Sequence, residues 1–248
     1  MGKIKYPKFI VLLSTATLIF TLTGCTYIGT NKSAQIVSSS VLENPDSHIT
    51  RTSFNTPQNI DLLRQQLITY YNSGGYEEAL QQVGNEAMEY LKSCKNTPGK
   101  LAIVFDIDET TLSNWTYEKD TDFGFSNETW TKYKEKEICT PIKPSLELYK
   151  QALKQNVTVF FITASKENNR TCYEANLKKA GYTKWEEVMF EPTDSHFALA
   201  EEFKSSMRKE ITEKGYRIIL NIGDQYSDLS GGYADRCFKL PNPFYFIP

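Results

Sequence analysis

Histidine is nearly missing from this chain. Only His48 and His196 occur among 248 residues, and neither stands in a His-Glu-x-x-His or an Arg-His-Gly string. Zinc proteolysis of the first kind and phosphatase chemistry through a histidine nucleophile of the second are therefore excluded. None of the five cysteines is followed six positions later by an arginine, which removes the cysteine-nucleophile phosphatase loop. Positive charge is not in excess either: 28 lysines and arginines face 30 aspartates and glutamates, for a formal net charge of −2. A nucleic-acid partner has no basic footprint to bind. What is present is ordinary globular material, 40% hydrophobic and 23% charged. That is enough for one large domain or two small ones.

Acidic residues are also absent before Glu43. Lys3, Lys5 and Lys8 precede an apolar run from Phe9 to Leu22. This order is that of a secretory n-region and h-region, too short for a convincing membrane span. The run ends in Leu22-Thr23-Gly24-Cys25, which resembles a bacterial lipobox cleaved before Cys25. Residues 1–24 are expected to be a signal peptide, with Cys25 the lipidated residue. Myristoylation at Gly2 fails because position 6 is Tyr6. Cleavage would remove three lysines and leave 25 basic against 30 acidic residues, a net −5. Thr26 in place of an aspartate resembles an outer-membrane sorting context, so the expected location is the bacterial cell envelope. Two or more acyl chains make the anchoring stable. Cys94, Cys139, Cys172 and Cys237 remain, and four cysteines allow three disulfide connectivities. An exported compartment permits such bridges without demanding them.

Residues 25–55, rich in Ser, Thr and Asn, form the expected lipid-anchored tether. Thr56-Pro57 gives an N-cap and first helical residue, and Ile60, Leu63, Leu67 and Tyr71 follow at helical spacing. Ser73-Gly74-Gly75 breaks this helix. A second is expected from about Tyr76 to Cys94, with Leu80, Val83, Ala87 and Leu91 on its inner face. The period then changes. Leu101 to Asp106 is a continuous apolar run ending in an acid, and Val157–Thr163, Glu187–Phe190 and Arg217–Gly223 are similar. Such runs are buried parallel strands. Helical patterns lie between them at about 145–155, 168–180 and 205–214. Residues 56–248 are thus expected to be one three-layer α/β domain with a mostly parallel sheet. Its ligand site belongs beyond the carboxyl ends of the strands. Residues 56–97, together with the aromatic insert 112–140 after the first strand, are expected to form a small helical cap over that edge.

Three strand ends carry the polar residues. They are Asp106-Ile107-Asp108-Glu109-Thr110, Thr163-Ala164-Ser165, and Gly223-Asp224-Gln225-Tyr226-Ser227-Asp228; Lys204 precedes the last helix. A capping loop could account for any one cluster, and a solvated face for any one lysine. All of them at successive strand ends need another explanation.

The combination resembles the haloacid dehalogenase-like (HAD) superfamily, whose four motifs match Asp106/Asp108, Thr163, Lys204 and Asp224/Asp228 in order. The stretches Asp106–Asn114, Gly181-Tyr182, Gly215-Tyr216-Arg217, Gly223-Asp224-Gln225 and Phe238–Pro243 resemble the plant vegetative-storage-protein-like acid phosphatases. The lipobox and aspartate motif are similar to those of bacterial class C, lipoprotein-type acid phosphatases. The resemblance covers roughly residues 58–248. It implies a Mg²⁺-dependent acid phosphatase acting on small phosphomonoesters through an aspartyl-phosphate. Asp106 would attack phosphorus, and Asp108 would protonate the leaving oxygen and then activate water. Two half-reactions need a proton donor and then an acceptor, hence the second carboxylate. The metal would be held by Asp106, the backbone carbonyl of Asp108, and Asp224, with Asp228 acting directly or through water. Thr163 and the amides about Ala164 would bind phosphoryl oxygens, and Lys204 would hold both nucleophile and phosphate.

Where the plant-like relatives commonly read Gly-Arg after the threonine, this chain has Ala164-Ser165-Lys166; Lys166 is expected at the surface, with a phosphate contact as the alternative. Arg208, one turn beyond Lys204, is expected to be structural. The insert aromatics Trp115, Tyr117, Phe123, Phe125, Trp130 and Tyr133 are expected in a packed core, with stacking on an aromatic or nucleoside leaving group as the alternative. A nucleotidase or phosphotransferase would use the same apparatus. A storage protein with a vestigial site is the reading from another class. Oligomeric state is not legible.

Overall fold

The alternation of apolar runs with helical periods builds a five-stranded sheet between helical layers in the computed structural model, which describes residues 57–195 and 197–248. Helices α1 (Ile60–Asn72) and α2 (Gly75–Ser93) lead into β1 (Lys100–Phe105). The insert follows: β2 (Leu112–Ser113), α3 (Trp115–Asp120), α4 (Asn127–Glu135) and β3 (Thr140–Pro141). Then come α5 (Lys143–Lys154), β4 (Thr158–Lys166), α6 (Arg170–Lys179), β5 (Glu187–Glu191), α7 (Ala200–Glu213), β6 (Tyr216–Gly223), α8 (Tyr226–Leu229) and β7 (Arg236–Lys239). The sheet order is β5-β4-β1-β6-β7, with every pair parallel.

Alternate strand residues divide between two cores, the period-2 consequence of a sheet covered on both faces. Ile103, Phe105, Val159, Phe161 and Val188 pack with Leu80, Leu91, Leu148 and Leu177 of α2, α5 and α6. Ala102, Val104, Phe160 and Ile162 pack with Phe203 and Ile211 of α7. A one-residue register shift, Ala102 opposite Ile218 but Ile103 opposite Leu220, resets the alternation in β6. Beyond it Leu220 and Ile222 join the first core. Burial of each such side chain contributes about 1.5–3 kcal/mol. Gly84 marks the close approach of α2 to α5, since a Cβ there would lie 2.4 Å from the Pro144 ring.

Several boundaries differ from expectation. α1 begins at Ile60, not Pro57, because the Asn59 side chain caps it by accepting from the Asp61 (2.9 Å) and Leu62 (3.4 Å) amides. α7 begins at Ala200, so Lys204 is inside the helix and not before it; Glu201 and Glu202 supply the acidic first turn. β7 is a fifth parallel strand with no apolar run to announce it, short and exposed at the sheet edge. Cys94, Cys139, Cys172 and Cys237 are all free thiols. The core is large enough without bridges. The signal peptide, Cys25 and the tether through residue 55 lie outside the described residues, as do His48 and His196.

The chain leaves β1 for β4 and β5 on one side, then returns for β6 and β7 on the other. The β1 end is therefore the topological switch point, where the crossovers part and leave a crevice. The antiparallel pair β2–β3 (Leu112 with Pro141, Ser113 with Thr140) closes the neck of the insert that stands over it.

Candidate active site

The turn after β1 is tied down by backbone groups. The Asp106 amide donates to the Ile222 carbonyl of β6 at 3.0 Å, and the Ile107 carbonyl accepts from both Thr111 and Leu112 amides at 2.9 Å. Both contacts hold the Asp106 side chain at the switch point. Lys204, reaching across from α7, donates to Asp106 Oδ1 at 2.6 Å and to Asp228 Oδ1. Carboxylate oxygens of Asp106, Asp224 and Asp228 lie within 4.8 Å of one another, and all three residues are buried.

Asp228 gets so close because residue 223 is glycine. A Cβ there would fall 2.3 Å from the Asp228 Cβ. Asp228 Oδ2 in turn accepts from the Gln225 amide at 2.7 Å, capping α8. Asp224 is held by three donors: Thr110 Oγ1 at 3.0 Å on Oδ1, and Gln225 Nε2 at 2.6 Å with Asn242 Nδ2 at 2.7 Å on Oδ2.

Three buried carboxylates opposed by one ammonium are electrostatically incomplete. Burial first, then the neighbouring Asp228 charge, push the Asp106 carboxyl well above the usual range against the pull of Lys204. Burial and Asp228 likewise raise Asp224 to about 7. Lys204 keeps its charge: burial disfavours it, but Asp106 and Asp228 outweigh this and raise its pKa. An all-oxygen, net-negative cluster of this kind fits a hard divalent cation.

The Asp108 carboxylate stands outside that cluster. Its Oδ1 accepts from Lys134 Nζ and from Asn114 Nδ2 at 3.0 Å, and its Oδ2 from the Tyr173 hydroxyl at 2.8 Å. Lys134 is wholly buried, lies 4.5 Å from the Trp130 ring centroid and 4.8 Å from that of Tyr173, and also donates to Asn114 Oδ1 at 2.6 Å. Those partners explain how a buried ammonium survives. Burial lowers its pKa, but Asp108 more than reverses this.

The other sequence-predicted residues sort cleanly. Thr163 and Ala164 follow Phe161, the β4 residue in register with Phe105, so they reach the same edge; the Thr163 hydroxyl accepts from the Ser165 amide at 3.1 Å. Lys166 pairs with Glu191 at 2.7 Å, half-exposed at the rim. Arg208 is fully buried and donates to the carbonyls of Asp228 (2.6 Å), Gly232 (2.9 Å) and Ser230, so its role is structural. Of the insert aromatics, Tyr117 and Tyr133 are buried, Trp115, Phe123 and Trp130 are half-buried, and Phe125 is exposed. Trp115 stacks on Tyr71 with centroids 3.7 Å apart, so that face is taken up by protein.

Sequence reasoning missed Lys134, Tyr173, Glu109 and Tyr245. Lys134 sits in Lys132-Tyr-Lys-Glu-Lys136, which reads as a solvated face. Glu109 is buried, accepts from the Tyr76 hydroxyl (3.0 Å) and the Asn114 amide, and is pushed by burial to about 8. Burial and the field of Asp224, Glu109, Asp108 and Asp106 hold the Tyr245 hydroxyl protonated. Only the Asp106–Asn114 and Phe238–Pro243 stretches signalled any of this, by bringing Asn114 and Asn242 into view.

The comparisons with known proteins agree with the geometry. Residues 29–248 match the model of the HAD superfamily, subfamily IIIB (acid phosphatase). Acid phosphatase 1 of Solanum lycopersicum is 37% identical over 183 residues, covering 72% of each chain. The stem 28 kDa glycoprotein of Glycine max is 33% identical over 184 residues, again with 72% of each chain covered. Vegetative storage protein 1 of Arabidopsis thaliana is 32% identical over 179 residues, 70% of this chain and 66% of that one. In fold, the class C acid phosphatase of Bacillus anthracis with tungstate bound superposes with a TM-score of 0.60 at 23% identity, over 75% of this chain and 86% of that one. The chain therefore belongs to the HAD superfamily, subfamily IIIB, and is a phosphomonoesterase of that acid phosphatase family.

Proposed function

We propose that the protein hydrolyses small phosphate monoesters through an aspartyl-phosphate on Asp106, with Mg²⁺ as its cofactor, from a lipid-anchored position in the cell envelope. The observation that carries this reading is the buried contact of Lys204 with Asp106 inside the three-carboxylate cluster. The ammonium orients one carboxylate oxygen and leaves the other to attack phosphorus, forming the Asp106–phosphoryl bond as the ester oxygen departs. Asp108 gives that oxygen its proton. It then takes a proton from the water that cleaves the aspartyl-phosphate and releases inorganic phosphate. Thr163 and the amides about Ala164 bind phosphoryl oxygens, as does Lys204.

Asp106, Asp224 and the Asp108 backbone carbonyl would hold Mg²⁺, with Asp228 direct or through water; when bound, the ion neutralises charge on the phosphoryl group. The domain proper runs from about residue 56. Its anchor is Cys25, exposed by removal of residues 1–24, followed by the tether to residue 55. Support for export comes from the Lys3–Lys8 n-region, the Phe9–Leu22 h-region and Leu22-Thr-Gly-Cys25.

Asp106→Asn should abolish hydrolysis of an aryl phosphate, and retained turnover would overturn the mechanism. Chelation should silence the wild-type enzyme and Mg²⁺ should restore it; undiminished activity in chelator refutes the cofactor. A panel of nucleotides, sugar phosphates and acceptor alcohols separates general hydrolysis from nucleotidase or phosphotransferase use of the same site.

A further inference from the structure

Residues 240–247 run from the end of β7 back over the loop between β6 and α8, and are tied to it at both ends. At the start, the Leu240 amide donates to the Gly223 carbonyl at 2.8 Å. Near the finish, the Ile247 amide donates to Gln225 Oε1 at 3.1 Å. Between these ties Phe244 is buried against Tyr76, Trp115 and Phe123, with centroids 5.0, 5.4 and 6.0 Å away. Asn242 is itself fixed, its Oδ1 accepting from the Phe244 amide at 2.8 Å. Its Nδ2 is thereby aimed at Asp224 Oδ2, 2.7 Å away.

A carboxylate oxygen has two lone pairs. Asp224 Oδ2 receives two donors, Asn242 Nδ2 and Gln225 Nε2, so both are used. Oδ1 receives one, from Thr110 Oγ1, and keeps the other. We propose that Asn242 and Gln225 are positioning residues for the divalent cation, which saturate Asp224 Oδ2 so that Asp224 can ligate through Oδ1 alone. This rests on the cation site of the proposed function. A carboxylate confined to one oxygen suits Mg²⁺, which demands near-ideal octahedral geometry, and disfavours Ca²⁺, which accepts bidentate carboxylates. The tail would thus select the smaller ion.

The test is calorimetric titration of the chelator-stripped full chain with MgCl₂ and, separately, CaCl₂. Asn242→Ala should weaken Mg²⁺ binding by about 10–100-fold, the usual effect of removing an outer partner of a ligand. Ca²⁺ binding should weaken less, so the ratio of the two affinities falls. Circular dichroism checks the fold. Should Asn242→Ala unfold, the near-isosteric Gln225→Met removes the other donor on Oδ2 and is expected to move both affinities the same way. A wild-type chain that binds neither ion refutes the cation site itself. Wild-type binding with unchanged affinities and an unchanged Mg²⁺/Ca²⁺ ratio in the variants refutes the positioning role alone.

Discussion

The Lys134 ammonium sits against the Asp108 carboxylate, joining the second helix of the insert to the turn that follows the central strand. The insert is therefore more than a cover over the site. It supplies the charge and, with Asn114 and Tyr173, the donors that orient Asp108, the residue proposed for proton transfer. Lys134→Met should destabilise the fold by about 3 kcal/mol, because it leaves a largely buried carboxylate without its counter-charge. Adding Asp108→Asn should recover much of that loss in urea denaturation. Simple additivity of the two changes would show that the pair is not coupled. Turnover of alkyl phosphates, whose leaving oxygen needs a proton, should fall more in Lys134→Met than turnover of aryl phosphates.

Glu109 contributes a pH dependence to stability. Its carboxyl titrates near 8 when folded and near its ordinary 4.5 when unfolded, so the folded state binds more protons between those values. Stability from this group is accordingly highest at acid pH and falls as pH rises through that window. Glu109→Gln keeps partners for Tyr76 and Asn114 but cannot ionise. Its stability should exceed that of the wild type by an amount that grows from pH 5 to pH 8, on the order of 4 kcal/mol at the top, and its melting temperature should rise accordingly. The difference should vanish near pH 4. A constant offset across the range contradicts the assignment.

Arg208 separates stability from chemistry. It forms no ion pair with a carboxylate of the cluster, yet donates to the backbone carbonyls of Asp228 in α8 and of Ser230 and Gly232 in the α8–β7 connection. Arg208→Met should lower stability by about 1–3 kcal/mol, since the part-buried Ser230 and Gly232 carbonyls lose their charged donor while the Asp228 carbonyl keeps Asn221 Nδ2 at 2.9 Å. At temperatures where the variant stays folded, KM for an aryl phosphate should hold within about twofold. An Arg208 that bound phosphate would instead raise KM without a matching loss in denaturant midpoint.

Cys25→Ser tests the anchor. The wild type should partition with membranes and incorporate labelled palmitate, whereas the variant should do neither while hydrolysing an aryl phosphate normally. Membrane association that survives the substitution would assign the anchoring to another segment.

Apolar runs in the sequence marked four of the five strands of the sheet and the polar residues at their ends; the edge strand β7 was not among them. The Leu101–Asp106 and Arg217–Gly223 runs are apolar on both faces, which only a doubly covered parallel strand accommodates, and the acids that end or closely follow them must then emerge at one edge. Asp106, Asp224 and Asp228 were legible for that reason, and Lys204 through its motif, though not its place inside α7. Tertiary structure alone decided the rest. Lys134 and Tyr173 lie 26 and 65 residues from Asp108 in sequence, and Asn242 lies 18 from Asp224. No local period marks such partners: a lysine among Lys and Glu reads as solvated, and a tyrosine on a helix reads as core. Their roles arise because a buried carboxylate must find donors, and those donors come from whichever distant segment the fold lays over the switch point.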